Sequence, residues 1–192
     1  MSVSSLTAHI ALLMAAIGLA ACDSGGGEGA QPKGAAGVDA GVKVETVAAG
    51  TVVRDHAGSP MPDFAFEDPS GDALALSSLR GTPVLLNLWA TWCAPCITEM
   101  PLLDKVAQER EGLRVLTVSQ DMETERVAPF FAEQGFAKLE PWLDAENQLA
   151  FHYEGGQLPL TVLYDAEGKE VWRVIGDLDW TGEKARALLD EV

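Results

Sequence analysis

Two cysteines at CxxC spacing, Cys93 and Cys96 in Trp92-Cys93-Ala94-Pro95-Cys96, are the residues of this 192-residue chain whose types and spacing best suit chemistry. Such a pair can close into a disulfide and open again, exchanging electrons with a disulfide elsewhere. Its setting sharpens that reading. Val84–Trp89 before it is a short apolar run, the pattern of a buried strand. After it, Ile97, Met100, Leu103 and Val106 recur at three-to-four spacing, which predicts a helix from Cys93 to about Glu111, ended by Gly112. A cysteine at that junction meets unpaired backbone N–H groups and the positive end of the helix dipole. Both favour the thiolate, so Cys93 is the expected nucleophile at neutral pH. Cys96, one turn further in, is placed to attack the mixed disulfide and release a reduced substrate. Pro95 suits the first helical turn, where its missing N–H would have no partner anyway.

The competing reading of the pair is half of a zinc site. Zinc needs four ligands, and beyond carboxylates the chain offers only His9, His56 and His152, with no second CxxC. The third cysteine, Cys22, lies far upstream, so the cysteines do not form a disulfide framework. No metal and no cofactor beyond the Cys93–Cys96 disulfide is expected. Charge narrows the partners: 29 acidic side chains against 13 basic give a net charge of −16. A chain without a Lys/Arg cluster has nothing to neutralise phosphates, which argues against nucleic acid and against docking on anionic lipid.

Residues Ile10 to Cys22 form an apolar run of about 13 residues, short of the ~20 that a bilayer needs but fitting a secretory segment. No Lys or Arg precedes it. Its ending, Leu19-Ala20-Ala21-Cys22, resembles the lipobox of bacterial lipoproteins, which implies lipid on Cys22 and cleavage before it. Asp23 matches a residue that favours inner-membrane retention in enterobacterial lipoproteins. Residues 1–21 are thus read as a signal peptide. Residues 22–59 follow as a Gly- and Ala-rich tether that buries too little apolar surface to order itself. Gly-rich scaling gives it a reach of roughly 30–35 Å. Val42–Val53 is mildly β-prone and could add an edge strand.

A domain is expected over residues 60–192. Asp63–Glu67 and Ala73–Leu76 read as strands around a Pro69–Asp72 turn, and Leu113–Ser119 as the strand after the cysteine helix. A helix over Glu123–Gln134 and a short one over Asn147–Tyr153 follow, then a hairpin of Leu160–Tyr164 and Glu170–Ile175 and a closing helix over Thr181–Glu191. Strand–helix–strand units followed by a hairpin and a helix give an α/β fold, a mixed central sheet flanked by helices.

The segment from Asn87 to Cys96 resembles the active-site segment of the TlpA/ResA-like extracytoplasmic thioredoxins. The likeness continues through Glu99, Pro101, Leu158-Pro159-Leu160-Thr161 and Asp165–Gly168, from about Pro60 to Trp180. It implies a thioredoxin-like fold with an N-terminal strand extension and an insertion before the hairpin. It also implies that Pro159 is cis, which would set Leu158 beside the cysteine pair to meet extended substrate backbone. Trp92, Ala94 and Pro95 would complete that substrate surface. Cytoplasmic thioredoxins carry a buried acid where this chain has Asn87, whereas Glu99 matches the acid of the ResA-like branch. Three residues after Cys96 on one helical face, Glu99 could take the Cys96 proton. Pro101 is expected to kink its helix, and Trp142, Trp172, Trp180 and His152 to serve packing.

The function expected is a thiol–disulfide oxidoreductase that reduces extracytoplasmic proteins, with substrates in cytochrome c maturation or copper-centre assembly. A membrane thiol electron donor and a monomeric state are expected with it. The place is the periplasmic face of the inner membrane, with the outer membrane as the alternative. Two rival functions remain. A copper-binding assembly chaperone would use the paired thiolates, with His152 as the one histidine able to help. A thiol peroxidase would need Thr or Ser three residues before its reactive cysteine, where Cys93 has Ala90 and Cys96 has Cys93.

Overall fold

The computed structural model describes residues 45–47 and 50–192. The expected signal peptide, Cys22 and most of the expected tether lie outside the described residues. Among the described residues no helix is long and apolar enough to cross a membrane.

Six consecutive buried residues, Val84–Trp89, make β5, and the sheet is assembled around it. β6 (Arg114–Ser119) pairs with β5 in parallel, and β8 (Leu160–Tyr164) pairs with it antiparallel on the other side. β9 (Glu170–Ile175) returns antiparallel to β8 through the Asp165–Gly168 turn, where Gly168 takes a φ of 74°. The N-terminal hairpin β3 (Ala65–Glu67) and β4 (Ala73–Ala75) joins the far edge through β7 (Trp142–Leu143). The sequence pattern does not predict β7, a strand too short to carry a period.

The sheet also begins upstream of the boundary expected at Pro60. β1 (Glu45–Val47) pairs with β2 (Gly50–Val53), and β2 pairs antiparallel with β9, so where the sequence suggests one edge strand within Val42–Val53 the described residues form two. Val52 is fully buried there. Gly50 is required by contact: a Cβ at this position would stand 2.7 Å from Val174 Cγ1 and 3.0 Å from the Asp177 carbonyl. Among the described residues the strands of the sheet run β1-β2-β9-β8-β5-β6-β7-β3-β4.

Period-two alternation divides the core between the two faces of the sheet. Leu85, Trp89, Leu163, Trp172 and Val174 pack with Cys96, Met100, Leu103 and Val106 of α1 (Ala94–Glu109), with Val127 of α2 (Val127–Gln134) and with Ala185, Leu188 and Leu189 of α4 (Glu183–Leu189). Val84, Leu86, Leu88, Leu116, Val118, Leu160 and Val162 face the opposite way, toward Phe66 of β3 and Leu149 of α3 (Gln148–His152). Helices therefore cover both faces, as expected. The α1 helix runs on through Pro101. Asn87, between Leu86 and Leu88 on β5, points to the α1 face and is the one polar side chain in that strand.

Candidate active site

β5 ends at Trp89, and the chain turns through Ala90–Trp92 into α1. Cys93 is the N-cap of that helix, with extended φ and ψ of −90° and 97°. Its Sγ accepts from the Cys96 backbone N–H at 3.4 Å, the contact a thiolate at this position would exploit. Ala94 and Pro95 supply the first turn, where the proline leaves no donor unpaired. The two cysteines are joined by a disulfide, with Cα atoms 5.3 Å apart. They are unequal: Cys93 keeps 5% exposure and Cys96 none. The outer cysteine offers only a narrow face to solvent.

The turn into α1 is anchored from behind. Asp121, buried just beyond the end of β6, accepts from the Thr91 backbone N–H at 2.9 Å and from Thr91 Oγ1 at 2.7 Å. Ser119 Oγ donates to the same carboxylate at 2.7 Å. The carboxylate thus locks the residues just before Cys93. Sequence reasoning passed over Asp121, because Thr91, the residue it anchors, lies 30 residues away and leaves no local pattern.

Leu158–Pro159 is a cis peptide bond, as the resemblance implied. The β5–β8 register sets Leu160 opposite Leu88 and Thr161 opposite Asn87, so Pro159 comes beside the end of β5 where the cysteine turn begins. Leu158 packs against the cluster that holds Cys93 and Cys96. Trp92 is 66% exposed, so it stands out from the surface beside the pair.

Glu99 is more deeply placed than a half-buried helix position would be, with only 2% exposure. Its Oε2 accepts from the Leu178 backbone N–H at 3.2 Å and from Trp180 Nε1 at 3.0 Å, and its Oε1 from Asn87 Nδ2 at 2.8 Å. Burial pushes its pKa up from 4.5 to about 7; the three donors pull the other way, and nearby Asp177 adds to the rise. At that value the group takes up and gives up protons near neutral pH. Asn87 also donates to Thr161 Oγ1 at 2.9 Å, while its own Oδ1 has no partner among the described residues. Trp180 is therefore more than packing. It stacks on Trp172 but also holds the acid, a role that no spacing could reveal across 81 residues. His152 packs edge-on against Phe64 and Tyr153, consistent with the structural place expected for it. Trp142 donates its Nε1 to Glu140, and Trp172 donates to the Leu188 carbonyl.

A cysteine capping a helix N-terminus, disulfide-bonded to a buried cysteine one turn in, and a buried acid on the same helix make a site suited to thiol–disulfide exchange. The model of the AhpC/TSA family matches residues 57–173. The chain belongs to that family. It is 33% identical over 122 residues to thiol-disulfide oxidoreductase ResA of Bacillus cereus, covering 62% of this chain and 70% of the relative. The ResA of Geobacillus kaustophilus is 36% identical over 120 residues, with 62% and 68% covered. The thioredoxin domain of a thiol-disulfide oxidoreductase from Bacteroides vulgatus shares the fold, with a TM-score of 0.57 at 24% identity over 70% of this chain and 96% of that one. The chain is accordingly a thioredoxin-like thiol–disulfide oxidoreductase. Position 90 carries alanine, fully buried, in place of the Thr or Ser that the peroxidase reading needs.

Proposed function

We propose that this enzyme reduces disulfides in proteins outside the cytoplasm, with Cys93 as nucleophile, Cys96 as resolving thiol and Glu99 as proton acceptor. The observation that carries the assignment is the asymmetry of the pair: Cys93 caps α1 and keeps some exposure, and Cys96 is fully buried on the helix that bears Glu99. In the reduced enzyme the Cys93 thiolate attacks one sulfur of the substrate disulfide. A Cys93–substrate bond forms, and the other substrate sulfur leaves as thiolate and takes a proton. Glu99 accepts the Cys96 proton, and Cys96 then attacks Cys93 Sγ. That step closes the Cys93–Cys96 disulfide and frees the second substrate thiol. Two electrons pass to the substrate, so a thiol donor must reopen the disulfide before the next cycle. In this reading a membrane thiol carrier supplies them.

Trp92, Ala94, Pro95, Leu158 and Pro159 form the surface that meets substrate. Extended substrate backbone pairs with Leu158 while its cysteine reaches Cys93. The resemblance to the TlpA/ResA-like branch supports substrates in cytochrome c maturation or copper-centre assembly. The lipobox-like Leu19–Cys22 supports tethering by lipid on Cys22 at the periplasmic face of the inner membrane, with the enzyme acting as a monomer in this reading. The test is capture with Cys96→Ser, which stalls the mixed disulfide on Cys93. Apocytochrome c or a copper-assembly protein bound through Cys93 supports the reading. Capture that persists when Cys93 is also replaced by serine, or that yields only cytoplasmic proteins, sinks it.

A further inference from the structure

Among the described residues the exposed large hydrophobic side chains are Trp92, Met122, Phe151 and the C-terminal Val192. The first three, at 66%, 81% and 78% exposure, do not scatter over the surface; they line two adjoining depressions of about 310 and 480 Å³. The depressions share Trp92, Gln120 and Asn147, and the larger one reaches Leu158, the residue before the cis proline. An apolar surface concentrated at one place on an otherwise strongly acidic chain marks an interaction site. The larger depression is built on α3 and the Glu154–Gly156 turn that follows it, the region inserted before the β8–β9 hairpin.

The charges around the depressions describe what would fit. The ionisable side chains lining the two depressions are Asp121, Glu123, Arg126 and Glu154, three acidic against one basic. Arg126 is paired with Glu123, and Asp121 with Thr91 and Ser119. Glu154 is thus the carboxylate left to face an incoming group at the Leu158 end.

We propose that this groove selects substrate proteins by the residues that flank their disulfide cysteine: a bulky apolar side chain between Trp92 and Phe151, and a Lys or Arg toward Glu154. The assignment rests on the reductase reading above and deepens it. An extended segment places alternate side chains on one face, so an apolar residue next to the cysteine and a basic one two positions further on both reach the groove. The net charge of −16 favours a basic segment over an acidic one during approach.

The test compares full-length enzyme with Phe151→Ser and Glu154→Lys on three disulfides. These are a peptide disulfide flanked by Leu and Lys, the same peptide flanked by Ser and Glu, and oxidised glutathione. Both positions are exposed, and equal melting temperatures will show that folding is intact. For the wild type, kcat/KM should favour the Leu–Lys peptide over the Ser–Glu peptide. Phe151→Ser should lower the ratio of the Leu–Lys peptide to glutathione about tenfold, the usual loss for one apolar contact in a pocket. Glu154→Lys should reverse the charge preference. Equal ratios in all three proteins overturn the groove assignment while leaving the reductase reading intact. Failure of the wild type to reduce any of the three overturns both. A wild-type dimer that Phe151→Ser dissociates makes the groove a contact between two copies and overturns the proposal.

Discussion

Replacing Glu99 with glutamine tests the reasoning about the site through stability as well as catalysis. Folding moves this carboxyl from 4.5 to about 7, chiefly because burial disfavours its charge. Between those values the native protein holds a proton that the unfolded chain has released. Stability therefore falls as the pH rises through that window. The sign is opposite to that of a salt-bridged carboxylate. At about 1.4 kcal/mol per pH unit, the rise corresponds to about 3 kcal/mol lost between pH 4.5 and pH 8. With 2% exposure the group has almost no solvent contact to soften the penalty. Glutamine has nearly the same shape and does not ionise, so it should escape the loss. The assay is denaturant unfolding of both proteins, with the Cys93–Cys96 disulfide intact, at pH 4.5, 6 and 8. Subtracting the two curves removes the other titrating groups. The difference should move by about 3 kcal/mol in favour of the glutamine variant as the pH rises. A difference that stays flat across the range would refute the buried-acid reasoning.

Two further outcomes follow from neighbouring contacts. Asp121→Ala leaves the Thr91 N–H, the Thr91 hydroxyl and the Ser119 hydroxyl without their acceptor; this should cost about 2–4 kcal/mol in unfolding free energy and slow exchange at Cys93. Thermal unfolding and single-turnover reduction check the two parts. Trp180→Phe removes a donor that favours charged Glu99, so the pH midpoint of the resolving step should move upward by about one pH unit, and stopped-flow profiles of mixed-disulfide decay will show it.

What could be read from the sequence was what local pattern encodes. The all-buried run of β5, the apolar spacing of α1 and the turn at Asp165–Gly168 each announce themselves within a few residues, and they place Cys93 at the helix N-cap. The cis bond before Pro159 came from the motif around it, since proline itself defaults to trans. The rest depends on pairing across long separations. β2 joins the sheet because Gly50 and Val52 fit against β9, although the surrounding Gly- and Ala-rich composition suggests a tether. Glu99 is clamped by Leu178 and Trp180 from a loop 79 to 81 residues away, so neither its depth nor the second role of Trp180 follows from position on the helix. Asp121 is hidden for the same reason.

The idle oxygen of Asn87 has a consequence for how the interior accommodates a proton. Its amide presents a donor to Glu99 and leaves the acceptor unused. That arrangement suits a carboxylate. A protonated carboxyl becomes a donor itself and needs an acceptor, which a half-turn of the same amide would bring round. Thr161 Oγ1, a hydroxyl, can donate as readily as it accepts, so it can follow the turn. Where a fixed aspartate would add a second charge, an asparagine adapts by rotating, and neither β5 nor α1 has to shift for the acid to change state.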